Sequence, residues 1–289
     1  MSRVVLVTGS SRGLGRAFAN CIAADGARVV VNSTGRSGDG DAVVAEIEAQ
    51  GSAALHVPGR VEEPVKLVEA VVEACGRLDA IVCNAGFVQD KTLRKMTDEQ
   101  WRAVIDVHLT SAFGLTRAAW PHFEAAGGGR MVFISSASGL YGNFGQSNYA
   151  AAKAGLYGLC RSVALEGARA DIRANCVAPY GATEMNSANL TEEFKQVIQP
   201  AFIAPLVGYL TRKECQENGS LFEACAGAFK KVRWERSAGL RLAPEEMTVS
   251  AVAERWGEVV DFTATEHPAD MRESLGWMYA PETAPETSR

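Results

Sequence analysis

The sequence predicts an α/β fold, a doubly wound parallel sheet with helices on both faces and a C-terminal helical extension. Three observations carry this. Short β-branched runs alternate with helical patterns from the first residues, the runs are apolar throughout, and a glycine-rich turn joins the first run to the first helix. Strands that are apolar on both sides are buried on both faces, and intervening helices supply the crossovers that parallel pairing needs. Right-handed crossovers then wind the sheet outward in two directions.

The strand runs are 3-RVVLVT-8, 28-RVVVN-32, 53-AALHV-57, 79-DAIVC-83, 130-RMVFIS-135 and 172-IRANCVA-178. Between them lie amphipathic segments such as 14-LGRAFANCIAADG-26, which ends on a glycine stop signal, and 62-EEPVKLVEAVVEACG-76. The stretch 33-STGRSGDGD-41 reads as a loop. After about residue 184 the alternation gives way to helices, one further strand (219-GSLFEACAG-227) and a helical tail. No linker is visible, so residues 1–280 read as one domain that includes an extension over about 228–280. The ending 281-PETAPETSR-289, polar with two prolines, reads as disordered.

Composition narrows the function classes. Of 289 residues, 47% are hydrophobic and 22% charged, ordinary for a globular chain with a substantial core. A net charge of −5 argues against nucleic acid as a partner. No apolar run is long enough to span a bilayer. A strand pattern begins at Arg3, which leaves no room for a signal or transit peptide and points to the cytoplasm. Seven scattered cysteines without a C-x-x-C pair suit a reducing compartment, and the four histidines show no metal spacing, so no metal is expected.

The turn 8-TGSSRGLGRA-17 carries glycines at 9, 13 and 15 and opens a helix. Glycine permits positive φ and close backbone approach, while the helix N-terminus offers free N–H groups to a pyrophosphate. Between a first strand and a first helix this reads as a dinucleotide site, the alternative being a structural turn. The end of the second strand reads the adenosine ribose, where an acid holds the 2′-hydroxyl of NAD and an arginine accommodates the 2′-phosphate of NADP. Ser33 stands where an acid would, and Arg12 and Arg36 are within reach of a phosphate, which favours NADP(H) over NAD(H).

The spacing G-x-x-x-G-x-G in this turn resembles the short-chain dehydrogenase/reductase family, a group with a Rossmann-type sheet. The run 83-CNAG-86 is similar to the family's N-A-G motif, with Asn84 beside the adenosine ribose and the central strand. In 134-ISSASGLYGNFGQSNYAAAKAG-155, Ser136 precedes Tyr149 by thirteen residues and Lys153 follows by four, which resembles the family's catalytic set. The resemblance implies that Gly9, Ser11, Arg12, Gly13, Leu14, Gly15, Ser33, Arg36, Val61, Asn84, Ala85, Gly86, Tyr149, Lys153, Pro179 and Thr183 hold the cofactor. The third strand's end departs from the family: 58-PGRVEE-63 lacks the usual Asp, which leaves the adenine contacts open.

The residue types suit the chemistry. Tyr149 and Lys153 lie about one turn apart on one helix face. A phenol titrates near 10 and is a poor base at neutral pH, but a neighbouring ammonium favours the phenolate. By resemblance, Lys153 also holds the nicotinamide ribose and Ser136 polarises the substrate carbonyl. His108, in 105-IDVHLTSAF-113, stands where most members carry an Asn whose backbone carbonyl binds a relay water. A carbonyl survives that change of side chain; the alternative is a packing residue.

His108, together with 141-YGNFGQSNYAAAKAGLYGL-159, 200-PAFIAPLVGYL-210 and 214-ECQENGSLFEACAGAFKKVRWERSAG-239, resembles the (3R)-hydroxyacyl-CoA dehydrogenase branch, also called 17β-hydroxysteroid dehydrogenases. That unit of the type 2 multifunctional enzymes is followed by a hydratase unit, so hydration here would fall to a separate protein. The implied substrate is a (3R)-hydroxyacyl-CoA with a fatty or steroid side chain. Departures are the loop 33–41, without the branch's Asp, and 179-PYGATEM-185. Residues 184–215 are a candidate lid, with Phe194, Phe202, Ile203 and Leu206 facing an acyl groove or packing as core. Lys230, Lys231, Arg233 and Arg236 form a basic cluster in sequence, with Trp234 among them reading as a packing residue. The resemblance also implies a homodimer or homotetramer. Rival readings are a 3-oxoacyl-carrier-protein reductase, a steroid or polyketide ketoreductase, and a non-catalytic nucleotide-binding module.

Overall fold

The six apolar runs pair side by side in a computed structural model that describes residues 2–35, 38–183 and 190–279. Arg36, the first part of the expected lid (184–189) and the ending 281–289 lie outside the described residues. The elements run β1 (Val4–Val7), α1 (Gly13–Ala24), β2 (Arg28–Val31), α2 (Asp39–Ala49), β3 (Ala54–His56), α3 (Pro64–Cys75), β4 (Ala80–Cys83) and α4 (Asp98–Ile105). A π turn, Asp106–Thr110, leads from α4 into α5 (Ser111–Ala125). There follow β5 (Gly129–Ile134), α6 (Ala137–Tyr141), α7 (Ser147–Glu166), β6 (Ile172–Tyr180), α8 (Glu192–Val197), α9 (Ala204–Leu210), β7 (Leu221–Cys225) and β8 (Ala228–Val232).

The sheet order is β3-β2-β1-β4-β5-β6-β7-β8, parallel throughout except for the antiparallel pair of β7 with β8. The predicted fold class is therefore borne out. Alternate residues of each strand enter opposite cores, which is why the strands read as unbroken apolar runs. Val4 and Leu6 pack on the side of α3, α5 and α7, and Val5 and Val7 on the side of α1, α2 and α9. The glycine stop signals hold, with Gly26 at φ +85° and Gly76 at φ +72°.

Two expectations change. The loop 33–41 ends early, because Asp39 already begins α2. The extension expected from about residue 228 begins with a strand rather than a helix. Ala226 (φ +50°) and Gly227 (φ +77°) form a two-residue turn of the kind that closes hairpins, and 228–232 folds back on β7. By backbone contacts the chain divides into two compact units, Met1–Val232 and Arg233–Arg289. Within the second, Arg236–Ser237 pairs with Thr265–Glu266, and three short helices accompany them.

Phe133 on β5 is fully buried among the residues under α5 and α7. Its replacement by Ala is expected to lower unfolding free energy by about 3–5 kcal/mol through the cavity left behind. Urea titration of Phe133→Ala checks this, and a loss below about 1 kcal/mol would place Phe133 outside the core.

Candidate active site

A cavity of about 560 Å³ opens beside the carboxyl ends of β1, β2 and β4. The strand order reverses between β1 and β4, and ligands of open parallel sheets sit at that crevice. Its floor is the loop from β1 to α1. Gly9 (φ +62°) and Gly13 (φ +55°) adopt left-handed backbone there. Gly15 is required for space: a Cβ would lie 2.3 Å from the Gly9 carbonyl oxygen and 2.6 Å from Asn84 Nδ2.

The loop is latched to β4. Asn84 Nδ2 donates to the carbonyls of Thr8 (2.9 Å) and Gly9 (3.1 Å), while Thr8 Oγ1 accepts from the N–H groups of Asn84 and Ala85 at 3.0 Å each. Helix α1 begins at the cavity wall, with no side-chain cap and no acid in its first turn. A Cβ on Gly13 would make ordinary contact with Thr183, at 3.7 Å, on the rim of the cavity that both line. This end therefore suits a pyrophosphate.

Gly9, Ser11, Arg12, Gly13, Leu14, Gly15, Ser33, Val61, Asn84, Ala85, Gly86 and Thr183 line this cavity. Tyr149, Lys153 and Pro179 do not. Asn32, Thr34, Asp39, Gly59, Arg60, Glu62, Phe87 and Val107 also line it and were missed from the sequence. The segment 58-PGRVEE-63 was in view but lacked the family's Asp. Asn32 ties the two strand ends together, its Nδ2 donating to the carbonyls of Val57 (3.0 Å) and Gly59 (3.1 Å).

Ser136 sits just past β5 and caps α6, its hydroxyl accepting from the Ser138 N–H at 3.2 Å. Tyr149 projects from the first turn of α7. The preceding Asn148 is fully buried; it donates to the Gln89 and Gln100 carbonyls and accepts the Tyr149 N–H at 2.8 Å. Lys153, one turn on, is 3% exposed, with Nζ 5.5 Å from the Tyr149 ring centroid and donating to the Ile134 carbonyl at 2.5 Å.

The electrostatics differ from expectation. Burial pushes the Tyr149 phenol above its ordinary value; the Ser136 hydroxyl pulls it back, and the Asp90 carboxylate adds to the rise. The lowering expected from Lys153 is not found, because that ammonium is itself desolvated, to a pKa of about 8, and turned to a backbone carbonyl. The buried thiols of Cys83 and Cys176 on the flanking strands are pushed up to about 12, chiefly by the same burial.

His108 lies in the π turn, its ring edge-on to Tyr149 with centroids 5.2 Å apart. Nε2 is 2.8 Å from the Phe87 carbonyl and 3.2 Å from the Phe87 N–H, whereas Nδ1 is buried without a partner. Burial first, and Lys153 second, lower its pKa to about 3, so the ring is neutral. Gly86 makes room for it, since a Cβ there would fall 1.9 Å from the imidazole. A π turn shifts the backbone hydrogen-bond register where it occurs and is frequent at functional sites.

Of the lid candidates, Ile203 and Leu206 pack into the core beside α1, whereas Phe194 and Phe202 are about two-fifths exposed. Phe194 stacks loosely on Tyr180, with centroids 6.3 Å apart. The basic residues divide among separate partners: Lys231 pairs with Glu217, and Arg236 with Glu266. Trp234, read as a packing residue, is 67% exposed.

Comparison with known proteins agrees with this geometry. Residues 3–194 match the short chain dehydrogenase family. The chain is 42% identical over 284 residues to the mouse (Mus musculus) peroxisomal multifunctional enzyme type 2, covering 95% of this chain and 39% of that protein. It is 40% identical to a short-chain type dehydrogenase/reductase of Mycobacterium tuberculosis, covering 90% of this chain and 95% of the other. The solved structure of the full-length Drosophila melanogaster multifunctional enzyme type 2 superimposes with a TM-score of 0.83 at 36% identity, over 96% of this chain and 48% of that one. The chain thus spans less than half the length of these two multifunctional enzymes.

Lys153 generates a prediction with a definite sign. Its pKa is about 8 in the folded chain against 10.5 ordinarily, so across that window the unfolded chain binds more protons and stability from this group rises with pH. Below pH 8 the buried charge is a standing cost, on the order of 3 kcal/mol. Lys153→Met is therefore expected to be more stable than the parent at pH 7, by a margin that shrinks as pH approaches 10.5. Urea titrations at several pH values check this; a margin that does not change with pH contradicts the depressed lysine.

Proposed function

The chain belongs to the short chain dehydrogenase family, and from that premise we propose that it interconverts a (3R)-hydroxyacyl-CoA and the matching 3-oxoacyl-CoA with NAD(P)(H). The observation that carries the reaction class is the meeting of Ser136, Tyr149 and Lys153 past the end of β5, on the same end of the sheet as the cavity over the glycine loop. The thioester substrate is supported by likeness to the mouse enzyme over 284 residues, well past the residues matched by the family as a whole. Since the chain spans 39% of that enzyme, only the dehydrogenase step is carried over.

The glycine loop and the uncapped start of α1 would hold the pyrophosphate, and Lys153 the nicotinamide ribose. When bound there, NAD(P)(H) supplies or accepts the hydride at the substrate's third carbon. Ser136 hydrogen-bonds the substrate oxygen. Tyr149 donates the proton to that oxygen in reduction and takes it back in oxidation. A phenol held up by burial is ready as the donor, so oxidation is expected to quicken as pH rises while reduction does not. His108 is neutral and tied to Phe87, which supports a positioning role for its ring beside Tyr149 rather than proton donation.

Within the cofactor class we favour NAD(H), reversing the expectation from sequence. Arg12 lines the cavity, but the carboxylates of Asp39 and Glu62 line it too, and Arg60 pairs with Glu62. Unpaired thiols at all seven cysteines suit a reducing compartment, whether cytoplasmic, as expected from the sequence, or peroxisomal, as in the mouse relative's name. Among the described residues no helix is long and apolar enough to cross a membrane. Phe113 on α5 and Leu165 on α7 are 47% and 66% exposed, which supports a homodimer or homotetramer through these helices.

Nicotinamide absorbance tests the reading with purified protein and paired (3R)- and (3S)-hydroxyacyl-CoA. Reduction of the cofactor with the 3R thioester alone is expected; equal rates with both enantiomers, or with neither, exclude this substrate class. Tyr149→Phe is expected to lose about two to four orders of magnitude in turnover while nucleotide binding stays at the parent's level. Retained turnover would remove Tyr149 from the reaction.

A further inference from the structure

Ser33 follows β2 at the place where such sites read the 2′ position of the adenosine ribose, and it lines the cavity without being an acid. Its hydroxyl is not isolated. Ser33 Oγ lies 2.9 Å from His56 Nε2, and His56 Nδ1 lies 2.9 Å from Asp41 Oδ1. Three elements supply this chain of contacts: the end of β2, the last residue of β3 and the first turn of α2. Packing holds the ring in place. The His56 side chain is 9% exposed, and a Cβ on Gly40 would fall 2.3 Å from its Nε2, so only a glycine lets α2 lie against the imidazole.

The direction of each hydrogen bond follows from the carboxylate end. Asp41 only accepts, so His56 Nδ1 carries the ring proton and donates to it. In the tautomer with that single ring proton, Nε2 accepts and the Ser33 O–H donates to it. The Gly35 N–H donates to Ser33 Oγ at 3.3 Å, using one of the two lone pairs. What Ser33 presents to the cavity is one acceptor position and no proton. A ribose 2′-hydroxyl can donate to that position. A 2′-phosphate, itself an acceptor, cannot.

The surrounding charge agrees. Among the described residues, Asp39 and Glu62 line the same cavity, together with Arg60, which pairs with Glu62, and Arg12, at the start of α1.

We infer that His56 and Asp41 are specificity-determining residues: acting through Ser33, they make a neutral serine behave as the acid that this position lacks, and so select NAD(H) over NADP(H). The inference rests on the proposed nucleotide function of the cavity.

Fluorescence titration tests it without turnover, using NADH, NADPH and the 2′-deoxyadenosine analogue of NADH. The parent is expected to bind NADH about tenfold more tightly than NADPH and to lose about fivefold on the 2′-deoxy analogue. Ser33→Ala and His56→Phe should weaken NADH about five- to tenfold, leave NADPH nearly unchanged, and no longer distinguish NADH from its 2′-deoxy analogue. Asp41→Ala should act in the same direction. Ser33→Asp placed in the His56→Phe background should restore the NADH preference, which a purely packing role for the imidazole would not allow. A parent that binds NADPH more tightly, or variants that weaken both nucleotides equally, overturn the inference while leaving the nucleotide site intact. Binding of neither nucleotide overturns the proposed function and this inference with it.

Discussion

The contact on which the site depends is the latch of Asn84 onto the loop that follows β1. Two strands whose connections leave in opposite directions open a crevice between them, and the latch closes its base. The Asn84 amide holds the Thr8 and Gly9 carbonyls, and Thr8 returns the contact through the Asn84 and Ala85 N–H groups. Backbones can approach this closely only where side chains are missing. A Cβ on Gly9 would meet Ala85 Cα at 2.7 Å, and one on Gly15 would meet the Gly9 carbonyl at 2.3 Å. With the loop held down, α1 starts at the cavity and its uncapped amides face the place an anion would occupy.

At the neighbouring reacting centre burial outweighs charge. Lys153 is an ammonium set among apolar strands, and its lowered pKa, the raised Tyr149 phenol and the neutral His108 all have desolvation as their first cause. The groups are held by backbone contacts rather than by ion pairs: Lys153 to the Ile134 carbonyl, His108 to Phe87, and Tyr149 through Asn148, which joins α7 to the segment after β4 and to α4. Such a centre is costly to fold and rigid once folded, a combination in keeping with a site that must align a proton donor with a reacting oxygen.

The strand end at Ser33 shows how a departure from a family's pattern can be compensated from elsewhere. A carboxylate absent from β2 is present on α2 and is linked to the vacated position through His56. The contact needs Gly40 as well, so a loop that looked merely glycine-rich holds a packing requirement.

Much of this protein was legible in its sequence. The strands up to β6, and helices α1 and α3, lie within about two residues of where periodicity placed them, because a segment's own apolar pattern determines which of its faces can be buried. The glycine loop and the Ser136, Tyr149 and Lys153 spacing were legible for a similar reason: each is set by neighbours within a strand–turn–helix unit. Hydrogen-bond partners and desolvation are not local properties. The bond from His108 to Phe87, the link of Ser33 to His56 and Asp41, and the place of Gly59, Glu62 and Val107 at the cavity each join segments far apart in the chain. The sign of the Tyr149 shift was misjudged because a helical spacing shows that two groups are near but not how dry their surroundings are. The sequence by itself determined the parallel strands up to β6, the glycine loop and the spacing of Ser136, Tyr149 and Lys153. The tertiary structure alone decided which groups are desolvated and which protons each of them can give, since both depend on what the other strands and helices bring alongside.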